Sequence, residues 1–338
     1  MSEIRPDHSI LKGTIKAQDP MEADFLFRQL YDYESIQLES SEYSREVTFC
    51  ASESFVTYKA STGAPLYSAG TGIGNRLIIA LMDQEFPSSW WGKKIASNQL
   101  PYLVPGSELE LLEPAAHDLL SFAWDLDFLR DLASSTAIVQ PSKLNQFLDS
   151  ISQPPHLLCD HQQLGPHWYK FFETQISGAI CGVESVSPEK LESLGVGFLL
   201  SMLESFSDAK VPPMTRHQRH ELVRQAIEYD DSQRSYGCSI PSISGHLSCS
   251  RRSLELAFNE TVSTSPLQFL TRRRLNAMYK DLLRSDPDTT TVTEIAMSAG
   301  FTEMGRCAAR FKKLFNATPS DILRKNPVTS GLTVPLTH

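Results

Sequence analysis

At 338 residues the chain is longer than one hydrophobic core usually organises, and its 41% hydrophobic and 21% charged content is that of an ordinary soluble protein, so two domains are expected. No run of about 18 apolar residues occurs, the start lacks a signal peptide's pattern, and six scattered cysteines form no CxxC pair, which points away from a membrane span, a disulfide framework or a zinc knuckle and towards a reducing cytoplasm. The formal charge of −9 divides into −14 over residues 1–214 and +5 over residues 215–338, a basic half joined to an acidic half that phosphate would repel.

Residues 1–20 are polar and read as a mobile N-terminus. From about 25 to 125 the pattern is that of strands: Val47–Ala51 and Phe55–Tyr58 alternate, Leu77–Met82 is a doubly buried run, and Leu109–Leu112 and Leu119–Trp124 follow. Between them Ser68–Gly74, Pro105-Gly106 and Glu113-Pro114 read as turns. Strands at this spacing suggest a sandwich or small barrel. Trp90-Trp91 is unusual: neighbours on a strand face opposite sides, so one would pack in the core while the other lines a pocket or interface, with plain core packing the alternative. After Trp124 the period turns helical, giving Asp127–Ser134, Ser142–Ser152, His167–Ile180 and Pro188–Phe206. The last is a candidate dimer contact, with ordinary packing inside the domain its rival.

Ser207–Met214, with two prolines, reads as a linker. Beyond it everything is helical: Arg216–Asp230, two helix-turn-helix signatures, and a joining helix opened by Pro266 and stopped at Ser285-Asp-Pro287. The first signature runs Ile240–Phe258 with its turn at Ser248, and the second runs Val292–Lys313 with its turn at Gly300. Such a unit places its second helix in a DNA major groove, and two on one chain can reach successive grooves. In the first, Leu254 and Phe258 face the core. Arg252, Glu255 and Leu256 then face outward, where Arg252 can donate to guanine, Glu255 can accept from cytosine and Leu256 can touch a thymine methyl. Ser250 and Arg251 suit phosphate, and a solvent-facing Glu255 is an equal alternative. In the second, aligning Cys307 with Leu254 and Phe311 with Phe258 lengthens the turn by one residue. The outward positions become Met304, Gly305, Ala308 and Ala309, with Arg306 beside them. Arg306, Arg310 and Lys312 would serve phosphate, and specificity would concentrate in the first unit. Of Arg272-Arg273-Arg274, successive helical residues cannot all face DNA. Arg272 and Arg273 suit the backbone or a solvated face.

The ordered motifs Ser250-Arg-Arg-x-Leu254-x-x-x-Phe258, Ser265-Pro266-Leu-x-x-Leu270, Arg274-Leu275-x-x-Ala277 through Leu282-Leu283, and Ile295-Ala-x-x-Ala-Gly300-Phe301 through Phe311-Lys-Lys-x-Phe315 and Pro319-Ser resemble the DNA-binding domain of the AraC/XylS family of transcription regulators. The resemblance is strong over about a third of the chain, from about 216 to 324. It implies an α+β protein of two domains: a β-rich, cupin-like barrel or sandwich with trailing helices at 21–206 for sensing and dimerisation, and an all-α reader at 215–326. Residues 207–214 would be the linker and 327–338 a flexible tail. It also implies base contacts at Arg252, Glu255 and Leu256, and a pairing of Arg274 inside the domain. The expected partners are double-stranded promoter DNA, RNA polymerase, a small-molecule effector and a second copy of the chain, in the cytoplasm and on the nucleoid.

Gly70-Thr-Gly-Ile-Gly74 lacks the Lys-Ser/Thr of a phosphate loop. His156-Leu-Leu-Cys159-Asp-His161 matches no common zinc spacing. His117 reads as a surface histidine, with a ligand contact the alternative, and no nucleophile elbow occurs. No catalytic residue, cofactor or metal is therefore assigned. Two other classes fit the same pattern: an effector-independent DNA-binding protein whose N-terminal half is an oligomerisation module, and a metal-dependent barrel enzyme fused to a DNA reader.

Overall fold

The computed structural model describes residues 10–28, 30–82, 88–96, 99–135, 141–151, 157–159, 165–180, 187–205, 218–233 and 238–325. The expected linker at 207–214, the tail at 327–338 and the His156 to His161 pattern, apart from the short strand at Leu157–Cys159, lie outside the described residues. The chain forms two compact units. The first takes Met1–Ser35, Ser44–Gly63 and Ser68–Thr215, and the second takes Ile36–Tyr43, Ala64–Tyr67 and Arg216–His338.

The β-rich part runs β1 (Leu11–Ala17), α1 (Pro20–Phe27), β2 (Tyr31–Gln37), β3 (Arg45–Ala51), β4 (Phe55–Thr62), β5 (Leu66–Gly72), β6 (Arg76–Met82), β7 (Ser89–Trp90), β8 (Lys93–Lys94), β9 (Gln99–Leu103), β10 (Glu108–Glu113) and β11 (His117–Asp125). There follow α2 (Leu126–Ser134), α3 (Pro141–Ser150), β12 (Leu157–Cys159), α4 (Gly165–Ile180) and α5 (Pro188–Ser205). One sheet has the order β1-β3-β4-β11-β6-β9-β12 and the other β2-β5-β10-β7-β8, with antiparallel pairing throughout the registered strands. This is the expected sandwich-like architecture with trailing helices.

Strand alternation assigns each residue of the central strands to one of two cores. On β11, Leu120, Phe122 and Trp124 join a cluster with the helices, while Ala123 joins a cluster with Trp90, Leu109 and Leu111 of the other sheet. On β6, Leu77, Ile79 and Leu81 go to the first cluster and Ile78 to the second. Both faces are covered, which is why Leu77–Met82 is apolar without a break. α5 lays Leu191, Phe198, Leu199, Met202 and Leu203 into the first cluster, with the Phe198 ring 4.3 Å from that of Phe122. A Cβ at Gly195 would sit 2.7 Å from the Phe55 ring, so glycine is what lets α5 approach β4. The apolar face of this helix packs inside its own unit.

Several expectations are corrected here. Residues 11–17, placed in a mobile N-terminus, pair with β3 from Leu11↔Ala51 to Ala17↔Arg45. The strand is held by its ladder, since only Ala17 of its side chains is buried. Ser68–Gly74 is largely strand, not turn: β5 continues to Gly72, and only Gly74 takes a positive φ (+72°). Trp90 and Trp91 do not face opposite ways. The left-handed backbone at Trp91 (φ +49°) ends the alternation, and the two rings stack at 6.4 Å, both buried. His117 is buried, not on the surface, with Nε2 3.0 Å from the Ser88 hydroxyl.

The second unit contains α6 (Gln218–Ser232), α7 (Ile240–His246), α8 (Arg251–Val262), α9 (Pro266–Arg284), α10 (Val292–Ser298), α11 (Met304–Phe315) and α12 (Pro319–Arg324). α9 supplies the core, burying Phe269, Leu270, Leu275, Met278, Leu282 and Leu283. Phe258 of α8 meets Phe269 at 5.6 Å, and Phe311 of α11 lies 5.9 Å from Tyr279. Within the same unit the Gln37 amide N–H donates to Asn276 Oδ1 (2.9 Å), Asn276 Nδ2 donates to the Gln37 carbonyl (3.1 Å), and the Tyr67 ring meets Phe269 edge-on at 5.1 Å.

Candidate nucleic-acid interface and a buried cavity

Each helix of the first helix-turn-helix is started by a serine. The Ser239 hydroxyl accepts from Ser242 N (3.2 Å) at α7, and the Ser250 hydroxyl accepts from Ser253 N (3.0 Å) at α8. The turn between them is closed by Leu247 N to Ile243 O (2.9 Å) and Cys249 N to Ser244 O (3.0 Å), with Ser248 left-handed at φ +51°. Tyr229 of α6 stacks on His246 at 4.1 Å and fixes the end of α7.

Leu254, Ala257, Phe258, Thr261 and Val262 anchor α8 on its buried side. Arg251, Arg252, Ser253 and Leu256 are exposed on the other, Leu256 at 42%, an unusual exposure for a large apolar residue. Arg252 has no side-chain partner among the described residues. Arg251 and Glu255 do: Arg251 Nε donates to Glu255 Oε1 at 2.9 Å, one turn along the helix. Such an exposed pair stabilises by only about 0.3–0.5 kcal/mol, so DNA groups can replace it.

In the second helix-turn-helix, Thr291 and Glu294 close a capping box on α10. These bonds from Thr291, backbone and side chain, hold the Glu294 carboxyl below its usual range. Five residues separate α10 from α11, against four between α7 and α8, so the turn is one residue longer, and Gly300 carries it at φ +80°. Cys307 and Phe311 are buried at the positions of Leu254 and Phe258. The outward residues Gly305, Arg306, Ala308, Ala309, Arg310 and Lys312 are exposed and Met304 is half-buried. α11 starts weakly: its cap residue Glu303 makes no side-chain capping bond, and Arg306 Nη1 lies 2.9 Å from the Glu303 carboxylate.

The arginine triplet serves the fold. Arg274 grips Asp230 (2.6 and 3.3 Å) and the Cys238 carbonyl (3.3 Å), Arg273 grips Asp231 (2.8 and 3.1 Å), and Arg272 donates to the Thr264 hydroxyl (3.2 Å).

The first unit encloses a cavity of about 50 Å³ between its sheets. Its walls are rings of Phe27, Tyr31, Tyr58, Trp90 and Tyr102 with the buried pair Arg45 and Glu113. Both terminal nitrogens of Arg45 donate to the two Glu113 oxygens, each at 3.3 Å, with the side chains 4% and 1% exposed. The Tyr31 and Tyr58 hydroxyls bond each other at 2.8 Å. Burial first, then the proximity of Tyr58, holds Tyr31 well above the usual phenol range, and burial likewise raises Tyr58. Ser68 and Trp90 line the same cavity, and the Ser68 hydroxyl and the Trp90 indole N–H are buried with no hydrogen-bond partner among the described residues. Of these residues only Trp90 was noted in the sequence, as one of a pair of which one was expected to line a pocket or interface. Glu113 read as part of a turn, and a lone Arg45 on an amphipathic strand gives no signal of its distant partner.

Among the described residues no group of His, Cys, Asp or Glu is placed to hold a metal ion, and no helix is long and apolar enough to cross a membrane.

Residues 243–325 match the family model of a helix-turn-helix domain. The chain is 35% identical over 106 residues, 31% of its length and 32% of the relative's, to "Probable thc operon regulatory protein" of Rhodococcus erythropolis. It is 22% identical over 139 residues, 41% of its length and 42% of the relative's, to "XylDLEGF operon transcriptional activator 3" of Pseudomonas putida. The chain thus matches less than half the length of these relatives. A solved structure described as a probable AraC family transcriptional regulator from Rhodopseudomonas palustris CGA009 is 30% identical at a TM-score of 0.28, covering 31% of this chain and 96% of that one. The C-terminal part of the chain thus carries a helix-turn-helix domain similar to those of AraC/XylS-type operon regulators.

Proposed function

We propose that the protein is a sequence-specific transcription regulator whose α8 reads bases and whose N-terminal unit holds a small-molecule effector. The observation that carries the reading is the face of α8. Leu254 and Phe258 are sunk in the core while Arg252 and Leu256 stand exposed and uncommitted. Arg252 suits guanine O6 and N7, Leu256 a thymine methyl, and Glu255, once released from Arg251, cytosine N4. Arg251 and the backbone around Ser250 then take phosphate. On α11, Met304, Gly305 and Ala309 offer a small, mostly apolar face that fits shape readout, while Arg306, Arg310 and Lys312 suit phosphate. The basic balance of residues 215–338 supports this placement. An effector shifts regulation only by preferring one arrangement of two protomers over another. Action as a homodimer on promoter DNA, with RNA polymerase, in a bacterial cytoplasm completes the proposal.

The test is a footprint of the full chain on its own sheared genomic DNA, repeated with Arg252→Ala. Sharp sites near promoters that vanish in the variant are expected. Diffuse protection that Arg252→Ala leaves unchanged would overturn sequence-specific reading.

A further inference from the structure

The second unit is not built from its own helices alone. Ile36–Tyr43 and Ala64–Tyr67, from the first third of the chain, belong to it together with residues 216–338. Two features of α11 give the first of these segments a role. The helix is poorly fixed at its start, since Glu303 makes no side-chain capping bond and Gly305 follows in the first turn. At its other end, the last carbonyls of a helix lack partners within it and must find them elsewhere. Asn316 N closes on the Lys312 carbonyl at 3.0 Å. The next two carbonyls are taken from the segment: the Ser40 hydroxyl donates to Lys313 O, and Gln37 Nε2 donates to Leu314 O at 3.2 Å. Gln37 Nε2 also reaches the Glu39 and Ser41 carbonyls, each at 2.8 Å, and so shapes the segment around its own amide. The segment is anchored in turn by α9. The Gln37 backbone N–H and carbonyl exchange bonds with the Asn276 side chain (2.9 and 3.1 Å), and both residues are buried. Asn276 thus satisfies the end of β2 as a neighbouring strand would. Its Nδ2 donates to the Arg272 carbonyl as well, at 2.8 Å, which orients the amide on its helix.

We propose that Gln37, Ser40 and Asn276 are positioning residues for α11: segment 36–43, pinned by Asn276, caps the last turn of the helix and holds Arg310 and Lys312 in place for phosphate. The cap comes from outside residues 243–325, which carry the helix-turn-helix match. The consequence for DNA rests on the regulator reading, while the capping stands on the geometry alone.

The experiment compares the full-length chain with Ser40→Ala, Ser40→Thr and Asn276→Ala by hydrogen exchange, then by binding to selected and scrambled DNA duplexes. Loss of the Ser40 bond should speed exchange in the last turn of α11 by roughly fivefold and leave the amides of α8 unchanged. Ser40→Thr keeps the hydroxyl and should stay within about twofold of the wild type. Asn276→Ala releases the whole segment and should speed exchange there by roughly tenfold or more. On DNA, Ser40→Ala should weaken binding to both duplexes alike, by about twofold to fivefold, and Ser40→Thr should restore it. Ser40 is exposed, so its variants decide the matter even if Asn276→Ala fails to fold. Exchange in α11 that Ser40→Ala leaves unmoved, or that quickens equally in α8, overturns the proposal. So does faster exchange with affinity for both duplexes unchanged, or weakening confined to the selected duplex. Unmoved exchange with selective DNA binding intact overturns the capping assignment alone. Exchange that responds as expected in a chain without selective DNA binding overturns the regulator reading alone.

Discussion

Arg252 and Arg274 carry the same guanidinium to different ends. Arg274 is bonded to a buried aspartate and a carbonyl, and Arg252 stands in solvent with its fork unspent. Arg274→Ala leaves Asp230 buried without its partner and should destabilise the unit by about 3–5 kcal/mol, read as a lowered denaturant midpoint. Arg252→Ala should leave that midpoint in place and cost about 1–3 kcal/mol of discrimination at one base pair. An Arg252→Ala protein that unfolds early would contradict this division. Cys307 offers a check on α11. Burial, against the nearby Arg310, pushes its thiol from 9.0 up to about 11. The folded state therefore holds the proton more firmly than the unfolded chain. The associated stability is intact below pH 9 and declines as pH rises towards 11. At neutral pH a thiol reagent should modify Cys307 only as fast as the unit opens. Modification at the rate of a free thiol would mean that α11 is not packed as described.

The start of α9 was legible because capping is local chemistry, whereas the start of α11, which was expected to open on a polar capping residue, has no side-chain capping bond. Ser250, Ser265 and Thr318 each stand immediately before the helix they cap, and Pro266 and Pro319 occupy the first turn. Ser239→Ala, which removes the cap on α7, should cost about 1 kcal/mol and lower Tm by a few degrees. No change in Tm would show that α7 is held only by packing. The capping-box carboxylates Glu294 and Asp321 lie below their ordinary 4.5 and 3.8, chiefly through their threonine partners. Their contribution is present above those values and is lost as pH falls through the lower folded values. The strands were legible where they alternate or run apolar, as in β6 and β11. β1 was missed because Lys12, Thr14 and Lys16 give it a polar face, and its ladder, not its side chains, holds it. β5 was missed because Gly70 and Gly72 imitate a turn. Gly70 is instead needed for close approach, since a Cβ there would lie 2.2 Å from the Asp32 carbonyl.

Across the molecule, the outward residues of α8 follow from helical spacing once Leu254 and Phe258 are fixed as core, so its exposed face could be seen in the sequence. The cavity could not. Its Arg45–Glu113 pair joins positions 68 residues apart, and periodicity shows which face a residue takes but not which residue opposes it across two sheets. The basic charge of residues 215–338 predicts a salt-dependent affinity. If Arg310 and Lys312 each neutralise one phosphate, alanine at either should reduce the slope of log K against log salt by about 1 while leaving sequence preference alone. An unchanged slope would remove that residue from the interface.

The central claim is that specificity resides in α8, and the most direct measurement is a comparison of selected and scrambled DNA. Binding of the full chain, Arg252→Ala and Arg306→Ala to both duplexes at one fixed salt concentration separates reading from attachment. Arg252→Ala is predicted to reduce the preference for the selected site by about 1–3 kcal/mol. Arg306→Ala should weaken binding to both duplexes alike. A preference that survives Arg252→Ala and disappears with Arg306→Ala would contradict the claim and move base reading to α11.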